Sequence, residues 1–197
     1  MTDRRLPAHE RRTQLLDVAI EVFAARGYHG ASMNQVAEAA GVTKPVLYQH
    51  FPSTRELYRE VLEDVGSRLE DAITKAAAEA GAPRQKVEAG FRTYFAWVAS
   101  ERAAFTVLFG GATRADDDFA ATAMRVEATI ARTIGQLIDV PGLGDDERRV
   151  LSHGVVGIAE STSRHWVAHD LDLDPGTLAA KAAELAWAGL RGVHPAT

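Results

Sequence analysis

The chain has 197 residues, of which 46% are apolar and 25% charged, so it can bury a sizeable core and is not disordered by composition. Because it contains no cysteine, it can hold neither a disulfide framework nor a thiolate metal site, and it cannot use a cysteine nucleophile. The net charge of −5 is uneven: residues 1–60 carry eight Lys/Arg and seven Asp/Glu, so a surface that binds polyanions is expected in the first third of the chain.

Two features of the sequence indicate a soluble protein. No apolar run approaches the ~18 residues that a membrane span requires. The segment from Met1 to Arg12 is polar and charged, without the apolar core of a signal peptide. We therefore expect a soluble, cytoplasmic protein without a membrane partner.

The dominant hydrophobic period is three to four residues, and alternating runs rich in Val, Ile and Thr are nearly absent. This pattern predicts an all-α protein of nine helices. The predicted helices span about 10–26, 33–40, 44–51, 55–80, 83–100, 101–109, 119–139, 146–169 and 175–191.

Capping and breaking residues set these boundaries. Ser32 with Gln35 three residues later predicts a capping box, and Asp174 followed by Pro175 is a specific helix start. Further caps are expected at Thr43, at Ser53 or Thr54, and at Asp145, with Asp116–Asp118 before the seventh helix. Breaks are expected at Gly27, Gly41, Gly81, Gly110-Gly111 and Pro141-Gly142.

The second and third predicted helices are too short to be stable alone, and Gly41-Val42 joins them, which is the arrangement of a helix-turn-helix. On a helical projection Thr43, Leu47 and Phe51 form the inward face of the third helix, whereas Pro45 and Gln49 point outward. Gln can read adenine and an apolar group can contact a thymine methyl, while Lys, Tyr and hydroxyl groups can reach phosphates. The predicted DNA-binding residues are Ser32, Thr43, Lys44, Pro45, Val46, Tyr48, Gln49 and His50.

The same stretch resembles the TetR family of bacterial repressors over residues 10–60. The resemblance rests on Gly27-Tyr28, Ser32-Met33, Val36-Ala37, Ala40-Gly41-Val42-Thr43-Lys44, Leu47-Tyr48-Gln49-His50-Phe51 and Leu57. It implies a DNA-binding helix-turn-helix domain at 1–52 and a helical ligand-binding and dimerisation domain at 53–197. It further implies a homodimer that binds a double-stranded DNA operator with inverted repeats, repression, and release or modulation by a small-molecule effector.

A second resemblance concerns the effector. The strings Lys44 to Phe51, Arg164-His165-Trp166 and Ala186 to Leu190 look most like the actinobacterial regulators of fatty-acid synthesis. This resemblance implies an amphipathic, fatty-acyl ligand.

Six of the fourteen aromatic residues lie between 91 and 109, where they can line an apolar pocket or simply pack a core. The predicted ligand-binding residues are Phe91, Tyr94, Phe95, Phe105, Phe109, Arg125, His165 and Trp166.

Stripes of small and aliphatic residues in the last two predicted helices indicate a partner helix pair. Two copies could close a four-helix bundle, whereas a monomer could pack both stripes internally. The predicted dimer-interface residues are Leu151, Val155, Ile158, Leu178, Ala182 and Leu185.

The sequence gives less support to a metal site or to an enzymatic function. His165 and His169 with Asp170 could bind a metal, but a third ligand at fixed spacing is missing, so a pocket or interface role is favoured for the histidines. Arg11 and Arg12 are either solvated or an arm that reaches a DNA groove. The alternative function is an all-helical enzyme or small-molecule-binding protein with an incidental N-terminal module. No catalytic set supports it, and no cofactor and no metal are expected.

Overall fold

The computed structural model describes residues 7–138 and 142–193, and every regular element within them is helical. The helices are α1 (Ala8–Gly30), α2 (Met33–Ala39), α3 (Lys44–His50), α4 (Thr54–Glu79), α5 (Pro83–Ser100), α6 (Arg102–Phe109), α7 (Gly111–Ala115), α8 (Asp117–Leu137), α9 (Asp145–Ala168) and α10 (Pro175–Arg191). Nine helices of seven or more residues lie in the described residues, which confirms the all-α prediction. The five-residue α7 was not predicted, because the sequence Gly110-Gly111 indicates the end of a helix and not the start of another.

The caps at α2 and α10 form as predicted. The Ser32 hydroxyl accepts the Gln35 N–H at 3.4 Å, and the Gln35 side-chain oxygen accepts the Ser32 N–H at 2.9 Å. The Asp174 carboxylate accepts the Thr177 N–H at 2.9 Å. Because the cap supplies an acceptor for an otherwise unpaired amide, these residues fix where each helix begins.

The predicted cap at Asp145 is wrong by one position. Gly144 is the N-cap of α9, and its own N–H donates to the Glu147 carboxylate at 2.8 Å. Asp145 is therefore the first helical residue, where its negative charge still favours the helix N-terminus.

Gly27, Gly41 and Gly142, at three of the predicted breaks, adopt left-handed backbone conformations, whereas Gly110 has φ −75°. Gly27 has φ 68° and Gly41 has φ 64°, values that side chains with a Cβ rarely adopt. Gly27 lies at a kink between two helical runs, so the first run ends at this glycine as predicted, and a short second run extends to Gly30. The predicted end of the seventh helix near Asp139 and the break at Pro141 lie outside the described residues.

The chain forms two compact units. The first combines the chain up to Val65 with Ala103–Ala123, and the second combines Gly66–Arg102 with the chain from Met124 on. In the first unit α2 packs against both α1 and α3, and α7 packs against α1. In the second unit α10 packs mainly along α5, and α9 contacts both helices.

None of the helices in the described residues combines the length and the apolar character needed to cross a bilayer.

Candidate functional site

The third helix separates into a buried and an exposed side. Leu47 and the adjacent Phe51 are 0% exposed, so they hold α3 against the rest of the first unit. Lys44, Pro45 and Gln49 are exposed, as predicted from the helical projection. The exposed side therefore presents a cation, an amide and an apolar ring on one short helix.

Thr43 departs from the prediction, because it is exposed and not part of the inward face. It is the N-cap of α3 in an extended conformation, so it lies off the helical projection used to place it. Its side chain makes no capping hydrogen bond. The reason is local: Pro45 has no N–H to donate, and the Val46 N–H donates to the Thr43 carbonyl at 3.0 Å.

The remaining predicted DNA-binding residues lie at the edges of this exposed side. Tyr48 is 42% exposed, and the Lys44 ammonium lies 5.7 Å from the centre of its ring. Val46 and His50 are half-buried. Ser32 is exposed at the start of α2, where its hydroxyl is part of the capping box.

Arg55, in the first turn of α4, was not singled out by the sequence. Its guanidinium donates to both oxygens of Asp116, at 2.9 and 3.0 Å, and to Asp118 at 2.5 Å. It also lies 4.8 Å from the centre of the Phe119 ring. Donation from Arg55 lowers the pKa of Asp116 below its ordinary value. Arg55 therefore ties the start of α4, just after α3, to the start of α8.

The two arginines before the first helix have partners within the first unit. The Arg12 guanidinium pairs with Glu60 and lies 4.9 Å from the centre of the Phe51 ring. Arg11 donates to the Gln14 side chain at 2.7 Å. These contacts give both arginines a structural role in addition to the possible contact with DNA.

The predicted effector residues are distributed over both units. Phe105 and Phe109 are buried in the first unit, with ring centres 5.2 Å apart. The second unit brings the other buried aromatic rings together around Phe95, at 6.5, 5.4 and 6.3 Å from the rings of Phe91, Tyr94 and Trp166. We call these four residues the Phe95 cluster.

A polar contact and a cation border the Phe95 cluster. The Tyr94 hydroxyl lies 2.9 Å from the hydroxyl of Ser163, which is 0% exposed. Burial raises the pKa of Tyr94, so its hydroxyl stays neutral. The Arg102 guanidinium lies 5.3 Å from the centre of the Trp166 ring. The cluster is thus an apolar volume with one internal hydroxyl pair and a positive charge at its edge.

Arg125 and His165, the predicted polar effector contacts, are both exposed. His165 lies next to buried Trp166 in sequence, but its ring contacts His169, with ring centres 4.2 Å apart. The Glu160–Arg164 pair forms as an ordinary ion pair along α9.

An open groove of about 530 Å³ lies elsewhere in the second unit, between the end of α4 and the start of α5. Charged side chains line it, among them Glu79, Glu88 and Arg92, and it contains none of the predicted effector residues.

The predicted interface residues differ in exposure. On α9, Leu151, Val155 and Ile158 are half-buried. On α10, Leu178 is half-buried, Ala182 is 6% exposed and Leu185 is 62% exposed. Ala182 belongs to the alanine face that α10 buries within its own protomer, whereas Leu185 points to solvent.

The outer faces of these two helices also carry glycine residues. A Cβ added at Gly154 or Gly157 of α9, or at Gly189 of α10, would meet no atom within 4 Å. Val150 at the start of α9 is 71% exposed. A helical projection of the sequence alone could have identified this glycine-rich face.

In the part of the chain that the structure describes, no group of three or more His, Cys, Asp or Glu side chains is placed to hold a metal ion.

Two family models match this chain. Residues 15–61 match the N-terminal model described as "Bacterial regulatory proteins, tetR family", and residues 83–189 match the model described as "Tetracyclin repressor-like, C-terminal domain". The first match contains the helix-turn-helix, and the second contains α5 to α9 and most of α10.

Individual relatives agree with the family models. The HTH-type transcriptional activator FasR of Mycolicibacterium smegmatis is 33% identical over 190 residues, which cover 96% of this chain and 87% of the relative. A TetR-like transcriptional regulator from Rhodococcus sp. RHA1 has a solved structure with a TM-score of 0.75 and 25% identity, covering 96% of this chain and 100% of that chain. The transcriptional regulator FadR from Bacillus subtilis, solved in complex with stearoyl-CoA, has the same fold, with a TM-score of 0.79 and 18% identity over 92% of this chain and 99% of that chain.

The residues quoted for the resemblance lie within the two matched segments or beside them, and the exposed side of α3 is where a helix-turn-helix reads DNA. The chain belongs to the tetR family of bacterial regulatory proteins and is a helix-turn-helix transcriptional regulator, not an enzyme.

Proposed function

We propose that this regulator binds an inverted-repeat operator as a homodimer and responds to an amphipathic, fatty-acyl effector. In this proposal residues 1–52 read the DNA, and residues 53–197 bind the effector and the partner subunit. The observation that carries the DNA-binding part is the exposed side of α3, where Lys44, Pro45 and Gln49 are accessible while Leu47 and Phe51 are fully buried.

Each exposed residue of α3 has a chemical task in this proposal. Gln49 reads a base edge, and Lys44, Tyr48 and the Thr43 hydroxyl contact phosphates. Lys44→Ala should then weaken binding to all sequences alike and reduce the slope of log K against log salt concentration by about 1.8, because the homodimer loses one phosphate contact in each half-site. Gln49→Ala should instead reduce discrimination at one base pair, by about 1–3 kcal/mol.

The experiment is a footprint followed by fluorescence anisotropy on the protected DNA at several salt concentrations. Lys75→Ala is the matched control, because it removes the same charge from an exposed position on α4, outside the proposed interface helices. It should leave the salt dependence unchanged. A footprint without two-fold symmetry, or a Lys44→Ala variant with the salt slope of the unmodified protein, would contradict the proposal.

The dimer is proposed to form through the outer faces of α9 and α10. The exposed Leu185 and Val150 supply apolar area, and Gly154, Gly157 and Gly189 leave room for close helix approach. The predicted interface residues Leu151, Val155, Ile158 and Leu178 lie on the two helices as half-buried side chains. Two copies related by a two-fold axis would bury these faces in a four-helix bundle.

The effector is proposed to place its apolar chain in the Phe95 cluster. These rings pack against one another, so a ligand that enters must separate them and shift α5 relative to α9. A ligand that binds one arrangement of helices better than the other changes the population of the two states by that difference in affinity. Arg102, at the edge of Trp166, is suited to a negatively charged head group.

Support for the acyl class comes from the relatives. The Bacillus subtilis regulator of the same fold was solved with stearoyl-CoA, and the relative from Mycolicibacterium smegmatis is 33% identical over almost the whole chain. The test is a titration of the protein–DNA complex with stearoyl-CoA, with free CoA as the control. We expect the acylated molecule to change both the DNA affinity and the tryptophan fluorescence of the protein, and CoA to change neither. A protein that responds equally to CoA would contradict an acyl site.

The same footprint determines the direction of regulation. The resemblance implies repression, whereas the Mycolicibacterium smegmatis relative is named an activator. A protected site that overlaps the core promoter would support repression, and a site upstream of it would support activation.

A further inference from the structure

Two histidines lie together at the C-terminal end of α9. His165 is in the last turn of the helix, and His169 is its C-cap, whose backbone N–H donates to the His165 carbonyl at 3.1 Å. The centres of the two imidazole rings are 4.2 Å apart, with an angle of 34° between the ring planes. Both side chains are exposed.

The hydrogen bond of His169 determines which of its ring nitrogens can bind a ligand. Its Nδ1 lies 3.0 Å from the His165 carbonyl oxygen. A carbonyl oxygen can only accept, so Nδ1 carries the hydrogen and donates it. In the neutral ring Nε2 is then left with an unprotonated lone pair. Histidines that bind metals commonly donate their other ring N–H to a carbonyl in this way, which fixes both the tautomer and the ring orientation.

We propose that His165 and His169 chelate one divalent first-row transition ion, with water in the remaining coordination positions. Residues four apart lie on the same side of a helix, so the two rings can approach one ion together. Imidazole suits Zn²⁺, Ni²⁺ and Cu²⁺. The sequence favours an interface or pocket role for these histidines because a third ligand is missing, but an open, exchangeable site needs only two oriented imidazoles.

The surroundings define the kind of site. Asp170 directly follows His169 and is exposed, and Glu160, on α9 itself, pairs with Arg164. Within the described residues no third ligand completes the pair. The site is therefore expected to exchange its ion.

Cu²⁺ is the probe, because electron paramagnetic resonance counts the nitrogens bound to it. The full-length protein without an affinity tag should bind one Cu²⁺ per chain at this site, with a two-nitrogen signal. His165→Ala and His169→Ala should each weaken binding by roughly 10²-fold, because each removes the chelate. His153→Ala is the matched control, since His153 is an exposed histidine of the same helix with no histidine four residues away. It should bind as the unmodified protein does.

Circular dichroism of each variant checks that α9 remains folded, which the exposure of both rings leads us to expect. Equal Cu²⁺ affinity in the unmodified protein and both variants would overturn the proposal. Loss of binding in only one variant would overturn it too, since a single imidazole would then account for the site. Competition by Zn²⁺ or Ni²⁺ for the same two-nitrogen signal would support the assigned class of ion.

Discussion

The buried hydroxyl pair of Tyr94 and Ser163 leads to a prediction about stability. The effect of Tyr94→Phe on the free energy of unfolding should change sign when Ser163 is replaced by Ala. Tyr94 is 6% exposed, Ser163 is 0% exposed, and their oxygens are 2.9 Å apart. Ser163 donates its own hydrogen to the Glu160 carbonyl at 2.9 Å. The Tyr94 hydroxyl is therefore the donor in the pair, and Ser163→Ala leaves a buried O–H without its acceptor.

The magnitudes follow from this geometry. An unpaired buried hydroxyl costs about 2 kcal/mol, and the higher helix propensity of Ala returns about 0.5 kcal/mol, so Ser163→Ala should lose about 1.5 kcal/mol. Tyr94→Phe alone should lose about 1 kcal/mol for the missing hydrogen bond. In the Ser163→Ala background, however, Tyr94→Phe removes the unpaired hydroxyl and should restore about 1–2 kcal/mol. The same substitution thus destabilises one background and stabilises the other.

The assay is thermal and urea unfolding of the four proteins, followed by circular dichroism at one fixed protomer concentration, since a dimer's apparent stability depends on concentration. A loss of about 1.5 kcal/mol should lower Tm by about 3–6 °C in a chain of this size. If Tyr94→Phe destabilises both backgrounds equally, the two hydroxyls do not pair and the reasoning fails.

Two further substitutions test other parts of the second unit. Gly66→Ala should lower Tm, because the added Cβ would lie 2.3 Å from a methyl carbon of Val126. Such overpacking costs about 1–3 kcal/mol. Thermal unfolding of the double variant with Val126→Ala should show that most of this loss is recovered. Leu185→Glu should convert the dimer to a folded monomer in sedimentation velocity, because it places a charge in the proposed interface. Leu173→Glu, at a side chain 44% exposed and outside both helices, should remain dimeric; equal behaviour of the two variants would place the interface elsewhere.

The sequence predicts features of this chain that depend on neighbouring residues. The capping box of Ser32 and Gln35 and the cap at Asp174 arise within one helical turn, so residue type and spacing determine them. Gly41 follows the same rule, because its left-handed conformation is accessible to glycine without steric cost. For this reason the starts of α2 and α10 and the outward position of Pro45 and Gln49 on α3 could be predicted before the structure, whereas the cap of α9 was predicted one residue late.

Contacts between distant segments could not be predicted in this way. Arg55 meets Asp116 across 61 residues, and Tyr94 meets Ser163 across 69. No local pattern distinguishes these polar side chains from others that face solvent. The division of the aromatic residues between two units has the same origin: Phe95 and Phe105 are close in sequence but belong to different units.

Pro45 affects the freedom of the Thr43 side chain, two residues earlier in the chain. An N-cap hydroxyl is ordinarily held against the first turn of its helix, which fixes the side-chain rotamer for the sake of folding. Pro45 removes one of the amides that would hold it, and the Thr43 carbonyl occupies the other. The Thr43 hydroxyl can therefore rotate, and its hydrogen can be aimed at a phosphate. If residue 45 had a backbone N–H, a capping hydrogen bond and the proposed phosphate contact would require different orientations of the Thr43 hydroxyl. With proline at position 45, the two do not compete.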